Sequence, residues 1–204
     1  MRFEYYEQLK SLAREKRQQY GITGPRVLRT DMKRIFKAEG IQLDYWHQPF
    51  KKLRGAYFHD ELGSTIMIKK DLPSDPCVFT MAHEYKHHLT DQDRAMVTCE
   101  NNPANEAIEI GAEIFAAEFL FPEGCFREEM ERMGVGLLGC TAEVLVRLKS
   151  ETKTTLSYAG LTKLAEWLKF APAGSLPKSG WRKLEDKILG IPFYRTRPTQ
   201  VELN

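Results

Sequence analysis

Three of the five histidines of the chain lie in one six-residue stretch, which reads HEYKHH from His83. On an α-helix, residues four apart project from the same face, so His83 and His87 can present two imidazoles to one metal ion. Glu84 follows the first histidine directly, and its carboxylate can reach a water molecule beside the metal. The pattern predicts metal-assisted hydrolysis, with zinc as cofactor, His83 and His87 as ligands and Glu84 as general base.

A catalytic zinc ion needs a third protein ligand, which leaves a fourth position open. The next predicted helix offers three glutamates on one face, Glu106, Glu109 and Glu113. Two small residues, Gly111 and Ala112, would let this helix approach the histidine helix closely. Spacing alone does not choose among the three carboxylates. A surface helix with two solvated histidines is the alternative that involves no metal.

The elements that must position these residues follow from hydrophobic periodicity. Helices are predicted over 1–20, from about residue 30 to 40, and over 78–89, 101–120, 142–150 and 161–170, with Thr141 as an N-cap; strands are predicted over 41–46, 55–59 and 64–68. The residues after Pro172 are rich in Pro, Gly and Ser and are predicted to be irregular. Helices, a small sheet and then helices indicate an α+β fold.

Composition narrows the class of protein. The chain has 204 residues, 28% of them charged, and a net charge of +2, so nothing indicates direct nucleic-acid binding. No apolar run approaches the ~20 residues that span a bilayer, and the first 20 residues lack a signal-peptide core. We therefore expect a cytoplasmic protein without membrane contact. The four cysteines, Cys77, Cys99, Cys125 and Cys140, are expected to be free thiols.

Two motifs together carry a family resemblance. FTMAHEYKHHL, from Phe79, followed by EIGAEIFAAEFLFP, from Glu109, resembles the ImmA/IrrE family of zinc metallopeptidases. The resemblance implies that Glu109 is the third ligand. It also implies a zincin-like core, in which a small twisted sheet packs with the helices of the protease. The expected organisation is an N-terminal helix over 1–24, a metallopeptidase domain over 25–150, and a C-terminal helical segment with an irregular tail over 151–204.

Two residues depart from the family pattern. Glu113 stands where relatives usually carry Asn or Asp, and is expected beside the ligands. Lys86 stands where relatives often carry a small or neutral residue. Because Lys86 lies off the ligand face, we expect it at the surface. His88, about 100° around the helix from His87, is expected to be structural or solvent-facing.

The resemblance implies a site-specific endopeptidase that cleaves a helix-turn-helix transcriptional repressor, in a stress response or in a mobile-element or prophage system. The alternative is a zinc-stabilised module that sequesters a regulator without cleaving it. An intact Glu84 favours the protease, because a binding module needs no general base.

Two further expectations concern surfaces. The strand at Ser64–Ile68 is expected to be a sheet edge that pairs with an extended substrate, with an interior strand as the alternative. The basic residues of the first helix, Lys10, Arg14, Lys16 and Arg17, are expected to form a solvated face.

Overall fold

The computed structural model describes residues 2–47, 53–92, 96–97 and 106–190. Within these ranges the elements are, in chain order, α1 (Arg2–Gln19), α2 (Arg29–Ala38), β1 (Gln42–Trp46), β2 (Gly55–Asp60), β3 (Gly63–Lys69), α3 (Ser74–Thr90), β4 (Met96–Val97), α4 (Glu106–Leu120), α5 (Glu123–Arg132), α6 (Ala142–Thr152), α7 (Tyr158–Trp167) and α8 (Trp181–Leu189). Helices around a small mixed sheet confirm the predicted α+β class. The predicted start of the fourth helix, at 101–103, lies outside the described residues.

The sheet has the strand order β1-β3-β2-β4. β2 and β3 form an antiparallel hairpin in which Tyr57 opposes Ile66. β1 runs parallel to β3, with Leu43 opposite Ile66. β4 is antiparallel to β2 at Tyr57 and Phe58.

The expectation that Ser64–Ile68 is a sheet edge is wrong. β3 lies between β1 and β2, so both of its sides are hydrogen-bonded within the sheet. The burial of Ile66 and Ile68, each 0% exposed, agrees with an interior position. This strand therefore cannot receive a substrate by backbone pairing.

The chain divides into two compact units. The first comprises Met1–Phe126 with Thr154–Ser157, and the second comprises Arg127–Lys153 with Tyr158–Asn204. These units do not coincide with the boundaries expected at 24/25 and 150/151, which remain predictions. No helix among the described residues combines the length and the apolar character needed to cross a membrane.

In the first unit, α3 packs against β2, β3 and α4, and α4 packs against α1. The core is formed by apolar side chains that are fully or almost fully buried: Met32, Ile35, Phe36, Tyr57, Ile66, Ile68, Met81, Tyr85, Phe115 and Phe119. Tyr85 of α3 contacts Phe115 and Phe119 edge-on, with ring centroids 6.1 Å away in each case. The histidine helix is thus held between the sheet and α4.

The basic residues of α1 do not form a solvated face, because most of them bind groups of the first unit. Arg17 is 4% exposed and donates to the carbonyl oxygen of Phe119. Lys10, 7% exposed, pairs with Glu7 and Glu123. Further ion pairs join α1 to α4 and to the end of α2: Arg14–Glu118 at 2.8 Å and Lys16–Glu39 at 2.9 Å.

The small residue Gly111 accommodates α1 rather than the histidine helix. A Cβ at this position would lie 2.7 Å from Leu9 Cδ1 and 3.0 Å from the Tyr5 hydroxyl. The close approach predicted from Gly111 is therefore real, but its partner is the N-terminal helix.

The second unit contains α6, α7 and α8. Thr141 accepts a hydrogen bond from the backbone N–H of Val144, which confirms the predicted N-cap of α6. The expectation of an irregular tail after Pro172 is wrong over α8, where Trp181 stacks on Tyr158 at 4.5 Å. Gly180 and Gly190 flank α8 in the left-handed conformation, which confines this helix to nine residues. The short α5, after Pro122, was not predicted.

Among the described residues, Cys77, Cys125 and Cys140 form no disulfide bond, as expected. Cys99 lies outside the described residues.

Candidate metal centre

α3 presents its two histidines as the spacing predicts. His83 and His87 stand one helical turn apart, and their Nε2 atoms are 3.4 Å from each other. The side chain of His87 is 0% exposed and that of His83 is 12% exposed. Both rings therefore point into a protected space rather than into solvent.

α4 adds one carboxylate to this pair. Glu109 Oε2 lies 3.2 Å from His83 Nε2, and Glu109 Oε1 lies 3.7 Å from His87 Nε2. All three ligand atoms fall within 4.8 Å of one another. Glu106 and Glu113, the other two candidates on this helix, are exposed and are not part of the cluster. Of the three glutamates that sequence spacing leaves open, Glu109 is thus the one that lies beside both histidines.

Asp91 fixes the orientation of His87. His87 Nδ1 donates to Asp91 Oδ2 at 2.7 Å, which leaves the lone pair on Nε2, the atom that faces the cluster. Burial lowers the pKa of His87, so its imidazole is neutral, as a metal ligand must be. Burial alone would raise the pKa of Asp91, but hydrogen bonds from His87 and Lys86 outweigh it and lower that pKa.

The expectation that Lys86 is a surface residue is wrong. Its side chain is 0% exposed, and its Nζ donates to Asp91 Oδ2 at 2.7 Å and to the carbonyl oxygen of Ile108 at 3.4 Å. The side of α3 that carries Lys86 is covered by α4 and by Asp91, the residue after the helix, rather than by solvent.

Glu84 is almost fully enclosed, with 2% of its surface exposed. Burial raises the pKa of Glu84 to about 8, an effect that His83 opposes and the Glu109 carboxylate reinforces. β2 covers this side chain through Gly55: a Cβ there would lie 2.5 Å from Glu84 Oε1. Only glycine lets the strand approach the carboxylate so closely.

The cluster favours a cation. Burial acts to lower the pKa of His83, but the hydrogen bond to Glu109 and the nearby charges of Glu84 and Glu113 outweigh it and raise that pKa. The same carboxylates that stabilise a proton on His83 would stabilise a metal ion in its place. Two imidazole nitrogens and one carboxylate oxygen are also a donor set that transition metals accept. The residues present therefore fit a metal ion.

A second polar network lies on another face of α3. His88 is 8% exposed, so the structural interpretation holds and the solvent-facing one does not. Its Nε2 is 3.5 Å from Glu39 Oε2, and its Nδ1 is 3.5 Å from the Tyr57 hydroxyl. Glu39 also accepts from Tyr85 at 2.5 Å.

Sequence reasoning missed Asp91, Gly55 and Glu39. Of these, Asp91 carries a signal in the sequence, because it stands four residues after His87 and continues the same helical spacing. Gly55 and Glu39 reach the histidine helix only through the tertiary fold.

Comparison with known proteins supports a peptidase. No curated protein matches the chain. The family model of Peptidase M78, described as the IrrE N-terminal-like domain, matches residues 36–153, which is more than half of the chain and includes the whole metal cluster. A metallopeptidase family implies a metal cofactor and a protein substrate, in agreement with the donor set described above. The chain belongs to the ImmA/IrrE family of metallopeptidases, matched as the IrrE N-terminal-like domain.

Proposed function

We propose that the chain is a cytoplasmic zinc-dependent endopeptidase that cleaves a helix-turn-helix transcriptional repressor at a specific site. The observation that carries the catalytic part is the convergence of His83, His87 and Glu109 beside a buried Glu84. The repressor as substrate, in a stress response or a mobile-element or prophage system, rests on the resemblance to regulatory members of the family.

The distances between the ligand atoms support zinc. Zinc lies about 2.0–2.1 Å from nitrogen and oxygen ligands in a tetrahedral arrangement, which places two ligand atoms about 3.3 Å apart. The Nε2 atoms of His83 and His87 are 3.4 Å apart, and His83 Nε2 lies 3.2 Å from Glu109 Oε2. The 3.7 Å contact of His87 Nε2 is with the other carboxylate oxygen, Glu109 Oε1. Calcium and magnesium, which prefer oxygen ligands, fit this donor set poorly.

A zinc ion bound here supplies a Lewis acid and lowers the pKa of water to about 7. Glu84 is not among the three clustered ligands, and its carboxylate is free of that role. From its place directly after His83 it can accept the proton of the attacking water and later return it to the leaving amine. Its burial keeps bulk water away from the proton transfer, and a divalent cation bound beside it would favour the ionised carboxylate that accepts the proton.

The test compares the wild type with Glu84→Gln, using a purified candidate repressor and quantifying both the cleavage fragments and the bound zinc. Glu84→Gln should bind one zinc ion per chain and lose about 100- to 10,000-fold in cleavage rate. The matched control is Glu106→Gln, the same change at an exposed carboxylate of α4 outside the cluster, which should cleave like the wild type.

Cleavage by Glu84→Gln at nearly the wild-type rate would refute this mechanism. A wild type that binds the repressor and zinc but never cleaves would instead identify the sequestering module. A wild type that binds no zinc would refute the metal site itself.

A further inference from the structure

Lys86 is the most unusual residue of the histidine helix. Lysine is rarely buried completely, because its ammonium group is strongly hydrated and must be paired when water is removed. Here the side chain is 0% exposed and its Nζ has two acceptors, Asp91 Oδ2 at 2.7 Å and the carbonyl oxygen of Ile108 at 3.4 Å. Burying the ammonium group of Lys86 inside the HExxH motif therefore costs free energy, which these two contacts offset.

These two contacts lead to two different members of the metal cluster. The Asp91 oxygen that accepts from Lys86 is the one that also accepts from His87 Nδ1, at 2.7 Å. Ile108 immediately precedes Glu109 on α4, so the second contact holds the backbone that carries the third ligand. One ammonium group thus ties a ligand of α3 to a ligand of α4.

We propose that Lys86 and Asp91 are positioning residues of the metal site: Asp91 aims His87, and Lys86 fixes both Asp91 and the start of α4, so that the site is assembled before the metal arrives. The inference rests on the proposed metal site and adds a determinant of its affinity.

Charge supports the same assignment. Asp91 is itself 9% exposed and accepts two hydrogen bonds on a single oxygen, one from a cation. The acidic residues Glu84, Asp91 and Glu109 lie around the histidines. The ammonium group of Lys86 offsets part of this negative charge, and it does so directly at Asp91. Without the ammonium, Asp91 Oδ2 would lose one of the two donors that it has among the described residues and keep the His87 N–H.

The experiment measures zinc affinity by competition with a chromogenic chelator, on variants shown by circular dichroism to be folded. Lys86→Met keeps the apolar stem and removes the ammonium, and it should weaken zinc binding about 10- to 100-fold, as loss of a group that orients a metal-bound histidine does. Asp91→Asn should weaken it by a similar factor. The double variant should lose little more than Asp91→Asn alone, because Lys86 acts largely through Asp91.

A matched control separates positioning from general stability. Lys10 is 7% exposed and paired with Glu7 and Glu123, neither of which belongs to the cluster. Lys10→Met should lower the thermal stability of the zinc-free protein and leave the zinc affinity unchanged. Cobalt substitution adds a spectroscopic readout: the visible bands of the Co²⁺ protein should change in Lys86→Met and stay as in wild type in Lys10→Met.

A folded Lys86→Met protein with wild-type zinc affinity and wild-type cobalt bands would overturn the inference. If Lys86→Met does not fold, Asp91→Asn tests the same contact. A folded Asp91→Asn protein with wild-type zinc affinity would also overturn the inference. A wild type that fails to bind zinc would refute the proposed function instead, so the two failures are distinguishable.

Discussion

A substitution at Gly55 tests whether the packing of β2 holds the Glu84 carboxylate, the proposed general base, in place. Replacing it with alanine would put a methyl carbon 2.5 Å from Glu84 Oε1 and 2.9 Å from Glu84 Cγ, and closer still to the Thr80 methyl group. An ordinary contact begins at 3.4 Å, so the carboxylate or the strand must retreat by about 0.9 Å. Glu84 is only 2% exposed and has no room to swing into solvent.

We expect two effects of Gly55→Ala, each with its own magnitude. Overfilling a packed site costs about 1–3 kcal/mol of unfolding free energy. Displacing a catalytic group by about 1 Å lowers the rate by about 100-fold. Zinc should remain bound, because the new methyl group faces Glu84 and Thr80 rather than the three ligands.

The assay combines chemical denaturation, zinc content and the cleavage rate of the repressor. Gly24→Ala is the matched control: a Cβ there meets nothing within 4 Å, so stability and activity should stay close to wild type. A Gly55→Ala protein that is folded, zinc-loaded and fully active would refute the argument that close backbone packing holds Glu84 in place.

Two more perturbations test the ligand set and the second polar network. Glu109→Ala should weaken zinc binding strongly and Glu113→Ala only modestly, because Glu113 acts on His83 through its charge and lies outside the cluster; chelator competition measures both, and a larger effect of Glu113→Ala would contradict the choice of third ligand. For Glu39, burial acts to raise the pKa, but hydrogen bonds from Tyr85, Lys16 and Tyr20 outweigh it and lower that pKa from 4.5. The ionised form therefore stabilises the fold above about pH 4.5, and this contribution is lost as pH falls through the lower folded-state pKa. In urea unfolding of the zinc-free protein, Glu39→Gln should be less stable than wild type at pH 7, and this difference in stability should shrink as the pH falls below about 4.5; a difference that is constant with pH would contradict this.

The metal cluster was predictable because its signals are local. Four-residue spacing places His83 and His87 on one face of any helix, whatever surrounds it. The prediction of Glu109 as the third ligand required more information, because three glutamates share this face of the helix. Only the alignment of the second motif with the family pattern favours Glu109. The structure places Glu109 beside the histidines because α4 starts close enough to α3 for its first turn to reach them.

What could not be predicted depends on non-local pairing. β3 has the length and composition of an edge strand, and only its parallel partner β1, some twenty residues upstream, makes it interior. Lys86 has the composition of a surface residue, and only Asp91 and the Ile108 carbonyl make its burial possible. α8 was missed because its flanking glycines suggested a loop, whereas they end a short amphipathic helix.

The contacts of α1 with α4 affect how far the chain can be shortened from its N-terminus. The family match begins at residue 36, after α1 has ended. A fragment cut there would lose the Arg17 donor of the Phe119 carbonyl, the Arg14 partner of Glu118, and the helix that covers Gly111. Buried acceptors would remain without donors on the back of the helix that carries Glu109. The N-terminal helix therefore supports the helix that carries Glu109, and we expect a fragment that starts at residue 36 to be less stable than the whole chain.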